Sequence, residues 1–97
     1  MKAVFISYNQ ALTDRVMYIL DRQRIRGFTK WETVHGRGSV DGEPHYGNHT
    51  WPAMNTAILA VIEDEKVAPL MDTLRKLDES ASGQGLRFFV WNIEQQM

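Results

Sequence analysis

Hydrophobic and polar residues follow two different spacings along the chain, and the changes of spacing divide it into six segments. Apolar, β-branched and aromatic runs predict four strands, over residues 2–8, 28–35, 53–62 and 86–93. Apolar residues three or four positions apart predict two helices, one over 11–26 and one that begins near residue 63. The predicted order is strand, helix, strand, strand, helix, strand. This order is typical of the split βαβ, or ferredoxin-like, α+β fold, a sandwich with a four-stranded antiparallel sheet.

Local signals mark the ends of the two helices. Asn9 is the predicted N-cap of the first helix, and Gly27 is its expected C-terminal stop. Three arginines lie near that end: Arg22, Arg24 and Arg26. Because cations suit the negative end of a helix dipole, we interpret them as a solvated helix end and not as a binding patch. Pro69 is expected in or near the first turn of the second helix, since a deeper proline removes a backbone hydrogen bond.

Both faces of the predicted sheet are apolar. Right-handed crossovers place the two helices on the same face, so a monomer leaves the other face bare. A sheet with one wet face should alternate apolar and polar residues, yet Phe89 and Trp91 alternate with Phe88 and Val90. Covering roughly 500 Å² of such a face is worth on the order of 12 kcal/mol at ~25 cal/mol per Å², before association costs. The pattern therefore predicts self-association through the sheet, with partial cover by a long loop as the alternative.

Residues 36–51 are rich in glycine and predict a long loop without regular structure. All three histidines of the chain lie in it or beside it: His35, His45 and His49. Imidazole and carboxylate groups are the ligands that a site without cysteine offers to zinc, copper, nickel or cobalt. One hypothesis is therefore a divalent transition-metal site made by these histidines and Glu43. The simpler interpretation is that they are solvated polar side chains of a loop.

Composition narrows the classes of function. The chain has 97 residues, which predicts one domain over 1–97. Its formal net charge of −1, with scattered Lys and Arg, does not favour nucleic-acid binding. Cysteine is absent, which excludes disulfides, thiolate metal sites and cysteine nucleophiles. The apolar runs are too short for a signal peptide or a membrane span, so we expect a cytoplasmic protein without membrane insertion.

Four short motifs carry a resemblance that covers nearly the whole chain. They are Arg26-Gly27-Phe28 after the first helix, Gly36-Arg37-Gly38 after the second strand, Gly83-Gln84-Gly85 in the last turn, and Phe88-Phe89-Val90 in the fourth strand. In this order, with a long loop between strands two and three, the chain resembles the superfamily of PII nitrogen-regulatory proteins and CutA-type divalent-cation tolerance proteins.

The resemblance implies a non-enzymatic signalling protein that forms a homotrimer. It also implies that loop 36–51, the T-loop of the family, docks on a partner protein. Short proteins of this type resemble those associated with heavy-metal efflux systems, so a membrane transporter is a candidate partner. A small ligand is implied between subunits, near the loop base and the glycine turn. The candidate ligand-binding residues are Gly36, Arg37, Gly38, Gly83, Gln84, Gly85 and Arg87. Turn geometry alone is the simpler explanation for each of these glycines.

Two positions depart from the nucleotide-binding pattern of the family. The lysine that follows the glycine turn is replaced by Leu86, and the alternation of a strand sends Arg87 to the opposite face. The loop-base glutamine that reads adenine is Gly38 here. ATP or ADP binding of the PII kind is therefore not expected, and a divalent transition metal is the candidate cofactor.

No nucleophile motif, Walker loop or metalloprotease signature points to an enzyme. Two alternatives from other classes remain open. Dimeric α+β barrel monooxygenases share the length and strand order, and Asn55, Trp91 and His35 are the residues such an enzyme would use. The second alternative is a pure interaction module without a small ligand.

Overall fold

The computed structural model describes residues 1–37, 40, 42–47, 53–81 and 85–97. Its elements are β1 (Lys2–Asn9), a 3₁₀ turn (Gln10–Leu12), α1 (Thr13–Arg22), β2 (Thr29–Val34), β3 (Asn55–Ile62), α2 (Asp64–Ser80) and β4 (Arg87–Asn92). The strands form one sheet in the order β2-β3-β1-β4, and every neighbouring pair is antiparallel. The predicted ferredoxin-like α+β fold is therefore confirmed. Neither helix of the described chain is long and apolar enough to cross a membrane.

β1 is the centre of the sheet. It pairs with β3 from Lys2 opposite Ile62 to Asn9 opposite Asn55, and it pairs with β4 on its other side. The crossover from β1 to β2 passes over β3, and the crossover from β3 to β4 passes over β1. Because crossovers of this kind are right-handed, α1 and α2 lie on the same face of the sheet.

The hydrophobic core lies between that face and the two helices. Even-numbered residues of the inner strands face the helices, and several are wholly buried: Val4, Ile6, Tyr8 and Ile58. From the helices come Val16, Leu20, Leu70, Leu74 and Leu77. Their spacing of three and four is the apolar stripe that predicted the helices.

The first helix ends earlier than predicted. Asn9 does cap the entry, because its side chain accepts a hydrogen bond from the Ala11 N–H at 2.9 Å. α1 stops at Arg22, however, and the chain turns at Arg24, whose φ is 58°. The Ile25 N–H bonds to the Leu20 carbonyl at 2.9 Å, and the Arg24 N–H bonds to the Asp21 carbonyl at 3.0 Å. These two bonds form a Schellman motif with arginine at the usual glycine position, so the prediction of Gly27 as the stop was wrong.

Pro69 also lies deeper than predicted. It is inside α2, in the second turn, where it cannot donate the usual helical hydrogen bond to the Glu65 carbonyl. The neighbouring contacts hold this turn against α1. The Thr73 hydroxyl donates to the Pro69 carbonyl at 2.9 Å, and the Gln23 Nε2 donates to that hydroxyl oxygen at 2.9 Å.

Candidate functional site

The sheet face away from the helices carries large apolar side chains in water. Phe89 is 55% exposed, Trp91 48%, Trp31 45% and Val61 38%. The strand register places all four on one face, since Trp91 and Val61 both pair with Ala3, Phe89 pairs with Phe5, and Trp31 pairs with Ala57. We call this surface, defined by the four exposed residues, the open face. It confirms the expectation that both faces of the sheet are apolar.

The start of β4 contains position 86, where the resemblance implies a nucleotide-binding lysine and this chain has leucine. Leu86 is only 7% exposed and belongs to the core, so this position offers no cation to a phosphate. Arg87 lies on the open face, and its Nη1 donates to the Leu86 carbonyl at 3.0 Å. Gly85 precedes them with a φ of 72°, a conformation that favours glycine.

The described ends of the long loop pair with each other. The Gly36 N–H donates to the His45 carbonyl at 3.1 Å, and the His45 N–H donates to the Gly36 carbonyl at 2.6 Å. This antiparallel bridge closes the loop at its base, so the prediction of a segment without regular structure was wrong there.

His45 is also not a solvated loop residue. It is 5% exposed, and its Nδ1 lies 2.6 Å from the Oδ1 of Asn55, itself buried at the start of β3. Because an amide oxygen accepts, the ring Nδ1 is the donor in this contact. The interpretation of His45 as a solvated polar side chain was therefore wrong.

Close packing explains two of the loop glycines. A β-carbon on Gly36 would lie 3.0 Å from the Asn55 Nδ2, and one on Gly47 would lie 2.6 Å from the Met54 Cγ. Gly47 has a φ of 65°, and its N–H donates to the Ala53 carbonyl at 2.9 Å. The loop base is thus fixed to the residues around the start of β3. Sequence reasoning missed the part played by Asn55 and Gly47, and no local pattern signals it, because these contacts form only when the loop closes.

The predicted metal ligands are only partly within the described chain. The His35 ring lies 6.1 Å from the Tyr46 ring, with an angle of 58° between their planes. Among the described residues, no group of three or more His, Asp or Glu side chains is placed to hold a metal ion. Four of the predicted site residues lie outside the described chain: Gly38, His49, Gly83 and Gln84. The metal set and the complete ligand set therefore stay predictions.

The topology separates the two halves of the predicted ligand site within one subunit. Arg37 follows β2 and Arg87 begins β4, so both lie at the same end of the sheet but at opposite edges. Three strand spacings of ~4.8 Å put these edges about 14 Å apart. The two halves are therefore not adjacent within one subunit.

The same topology disfavours an enzyme site of the monooxygenase kind within one subunit. Asn55 begins β3, whereas Trp91 is level with Val61 at the other end of that strand. Six residues of strand span about 20 Å. Asn55 and Trp91 therefore do not meet within one protomer.

Comparisons with known proteins agree with this fold. The structure of CPII, a nitrogen regulatory PII-like protein from Thiomonas intermedia K12, bound to ADP, AMP and bicarbonate, matches with a TM-score of 0.73 and 20% identity over 97% of this chain and 88% of that one. A PII-like signalling protein from Thermus thermophilus matches with a TM-score of 0.67 and 20% identity over 95% of this chain and 85% of that one. A search of curated protein sequences finds no match.

The family comparison covers the whole chain. The model of the family "Nitrogen regulatory protein P-II" matches residues 1–97. With the sheet order, the long loop and the glycine before β4 in place, the chain belongs to the P-II family of nitrogen regulatory proteins.

Proposed function

We propose that this protein is a non-enzymatic regulatory homotrimer in the cytoplasm. It binds a small ligand between subunits and docks loop 36–51 on a partner protein. The observation that carries the proposal is the open face, which exposes three large aromatic side chains on a small domain of the P-II family. Apolar surface of this extent marks an interaction site, and a second and third copy of the chain are its proposed occupants.

The arrangement of the sheet edges supports a cleft between subunits. Each subunit offers a loop base with Gly36 and Arg37 at one edge, and Gly85 with Arg87 at the other. Trimer packing would bring the loop base of one copy to the β4 edge of the next. Two guanidinium groups and the backbone N–H groups of the turns would then face one anionic ligand.

An adenine nucleotide is the first ligand to test. One similar CPII structure is bound to ADP, AMP and bicarbonate, and another is bound to ADP and bicarbonate. Because Leu86 is buried, the phosphate contacts in this chain would come from Arg37 and Arg87 instead of a lysine at position 86.

A divalent transition metal is the second ligand class, and the Asn55 contact favours it. A histidine that donates one ring N–H to a fixed acceptor presents its other nitrogen to a metal, which is the arrangement found around metal-bound histidines. The proposed ligands are His35, His45, His49 and Glu43. Metal binding there would change the loop, and a heavy-metal transporter is the proposed partner in that case.

Two measurements test the proposal. Light scattering after size exclusion should give three times the chain mass of 11.2 kDa. A dimer would instead favour the monooxygenase class. Calorimetry with ADP and AMP should show binding that Arg37→Gln and Arg87→Gln weaken and Arg75→Gln does not. Titration with zinc, copper and nickel should produce heat above that of a His35→Ala, His45→Ala, His49→Ala variant. A trimer that binds none of these ligands would be an interaction module.

A further inference from the structure

Sulfur in this chain is confined to its five methionines, because the sequence contains no cysteine. Met54 is the single sulfur-containing residue between positions 35 and 55, and it lies at the base of the long loop, directly before β3. Its side chain is partly buried, so it packs against the protein and still contacts solvent. An oxidant that reacts with sulfur therefore reaches the loop base through Met54.

Hydrogen bonds fix the backbone on both sides of this side chain. The Met54 carbonyl accepts from the Gln10 N–H at 2.8 Å, which ties it to the turn after β1. The carbonyl of the preceding residue, Ala53, accepts from the Gly47 N–H at 2.9 Å, which ties it to the returning end of the loop. Met54 thus lies where the loop is joined to the sheet.

The side chain of Met54 packs directly against Gly47. A β-carbon on Gly47 would lie 2.6 Å from the Met54 Cγ and 3.0 Å from its Sδ, both shorter than an ordinary van der Waals contact. The thioether therefore occupies the space that a side chain at position 47 would need. Gly47 has a left-handed φ of 65°, so the contact is made to a backbone conformation that favours glycine. An atom added to the sulfur has no room on the side of the glycine.

We propose that Met54 is an oxidation site, and that its conversion to the sulfoxide releases the loop from its base. In the reaction with a peroxide, a lone pair of the Sδ attacks one peroxide oxygen, an S–O bond forms and the O–O bond breaks. The sulfur loses two electrons, and the other oxygen leaves as water after proton transfer. The product replaces a flexible apolar group by a polar one. Because the new oxygen needs water or a hydrogen-bond donor, the side chain moves away from Gly47 and the Gly47–Ala53 hydrogen bond opens. The release acts on the loop base itself and is independent of the ligand or partner that the loop binds.

Amide hydrogen exchange, measured by NMR on the intact protein before and after treatment with hydrogen peroxide, tests the proposal. Peptide mapping by mass spectrometry should show the sulfoxide at Met54, and the Gly47 amide should exchange about tenfold faster or more, because its hydrogen bond has opened. The melting temperature should fall by a few degrees with a retained cooperative melt, which separates opening of the base from loss of the fold. Methionine sulfoxide reductases, which remove the added oxygen, should restore slow exchange.

Three variants isolate the sulfur of Met54. Met54→Leu keeps an apolar side chain of similar volume and cannot be oxidised, so peroxide should leave its Gly47 exchange unchanged. Met71→Leu is the matched control, since Met71 is a partly buried methionine of α2 whose Sδ lies 3.4 Å from an Arg75 guanidinium nitrogen. Peroxide should still loosen the loop base of this variant. Met54→Gln, which places a polar group near the position of the sulfur, should show fast Gly47 exchange before any peroxide is added.

The proposal is overturned if Met54 stays unoxidised when Met71 is fully converted, or if oxidation of Met54 leaves the Gly47 exchange unchanged. It is also overturned if the cooperative melt is lost on oxidation. The same holds if peroxide speeds the exchange equally in Met54→Leu, since another oxidised residue would then be responsible.

Discussion

Phe89→Glu on the open face should dissociate the assembly without unfolding the subunit. Phe89 is the most exposed of the four open-face residues, at 55%. A whole aromatic side chain presents about 200 Å², so roughly 110 Å² of this ring would leave water on assembly. At ~25 cal/mol per Å² this burial is worth about 3 kcal/mol for each interface, or roughly a hundredfold in the association constant. A glutamate loses that gain and adds an unpaired carboxylate that must be desolvated against apolar neighbours, which costs several kcal/mol more.

The assay is the molar mass in solution, measured by light scattering over a range of protein concentration, together with a thermal melt. The expected result is a trimer for the wild type and a monomer with a retained cooperative melt for Phe89→Glu. Tyr18→Glu is the matched control, since Tyr18 is an aromatic residue of α1 that is 64% exposed on the helical side. It should leave the trimer intact. If Phe89→Glu remains a trimer, the open face is not the surface through which the subunits associate, and the reasoning from exposed apolar area fails.

Three further predictions concern the loop base and the core. Asn55→Ala leaves the buried Nδ1 of His45 without its acceptor and should cost about 1–3 kcal/mol of unfolding free energy in chemical denaturation, whereas Asn55→Asp keeps an acceptor and should cost less. Gly47→Ala should lower the free energy of unfolding by about 1 kcal/mol or more, because the φ of Gly47 is 65° and the new methyl would lie 2.6 Å from a side-chain carbon. The control is Gly27→Ala, whose methyl meets nothing within 4 Å. It should be neutral or slightly stabilising in thermal melts. Burial raises the pKa of the Tyr8 hydroxyl, which has no hydrogen-bond partner in the described chain, although the nearby Thr13 hydroxyl opposes the shift. The unfolded chain therefore loses this proton first, so wild-type stability should fall as pH rises above about 10, and Tyr8→Phe should reduce that fall; an equal alkaline loss in both proteins would contradict it.

The strands could be predicted to within one or two residues because their signal is local. β1 was expected over 2–8 and runs from Lys2 to Asn9, and β4 was expected over 86–93 and runs from Arg87 to Asn92. Apolar residues on both sides of a strand are visible in the sequence itself. The open face could be predicted for the same reason, because alternate residues of a strand always point to opposite faces.

The end of α1 could not be predicted from local rules, because the residue with the left-handed φ is an arginine and not the expected glycine. Glycine is the usual residue with a left-handed φ after a helix, and the chain offers one at Gly27. The turn falls instead on Arg24, at a conformational cost of about 1–2 kcal/mol that the Schellman hydrogen bonds and the burial of Ile25 against the core offset. Local propensity is overruled here by contacts that form only in the folded chain.

The burial of His45 was missed for a related reason. Its partner Asn55 lies ten residues away, and what joins them is the closure of the loop at Gly36. A histidine in a glycine-rich segment is predicted to be exposed to solvent. Only the backbone bridge between Gly36 and His45 shows that it is brought back to the sheet. The exposure of a polar residue in a loop therefore cannot be predicted from the sequence when hydrogen bonds hold the base of the loop to the sheet.

Hydrogen bonds hold the base of the loop to the sheet, and this determines which part of the loop a bound ligand could move. Gly36 and His45 are bonded to each other, and His45 is bonded to Asn55 of β3, so these residues move with the sheet. Arg37 follows this fixed base directly, and its side chain is exposed. A ligand held between Arg37 of one subunit and the β4 edge of the next would therefore contact the loop at its first residue beyond the base. Because the base is held to the sheet, it would not move when the ligand binds. The ligand would therefore displace the part of the loop beyond the base, which is the segment proposed to contact a partner. A variant that frees the base, Asn55→Ala, should accordingly weaken the coupling between ligand and loop even where ligand affinity is kept. Fluorescence of a probe attached at position 40 should then respond to the ligand less than in the wild type.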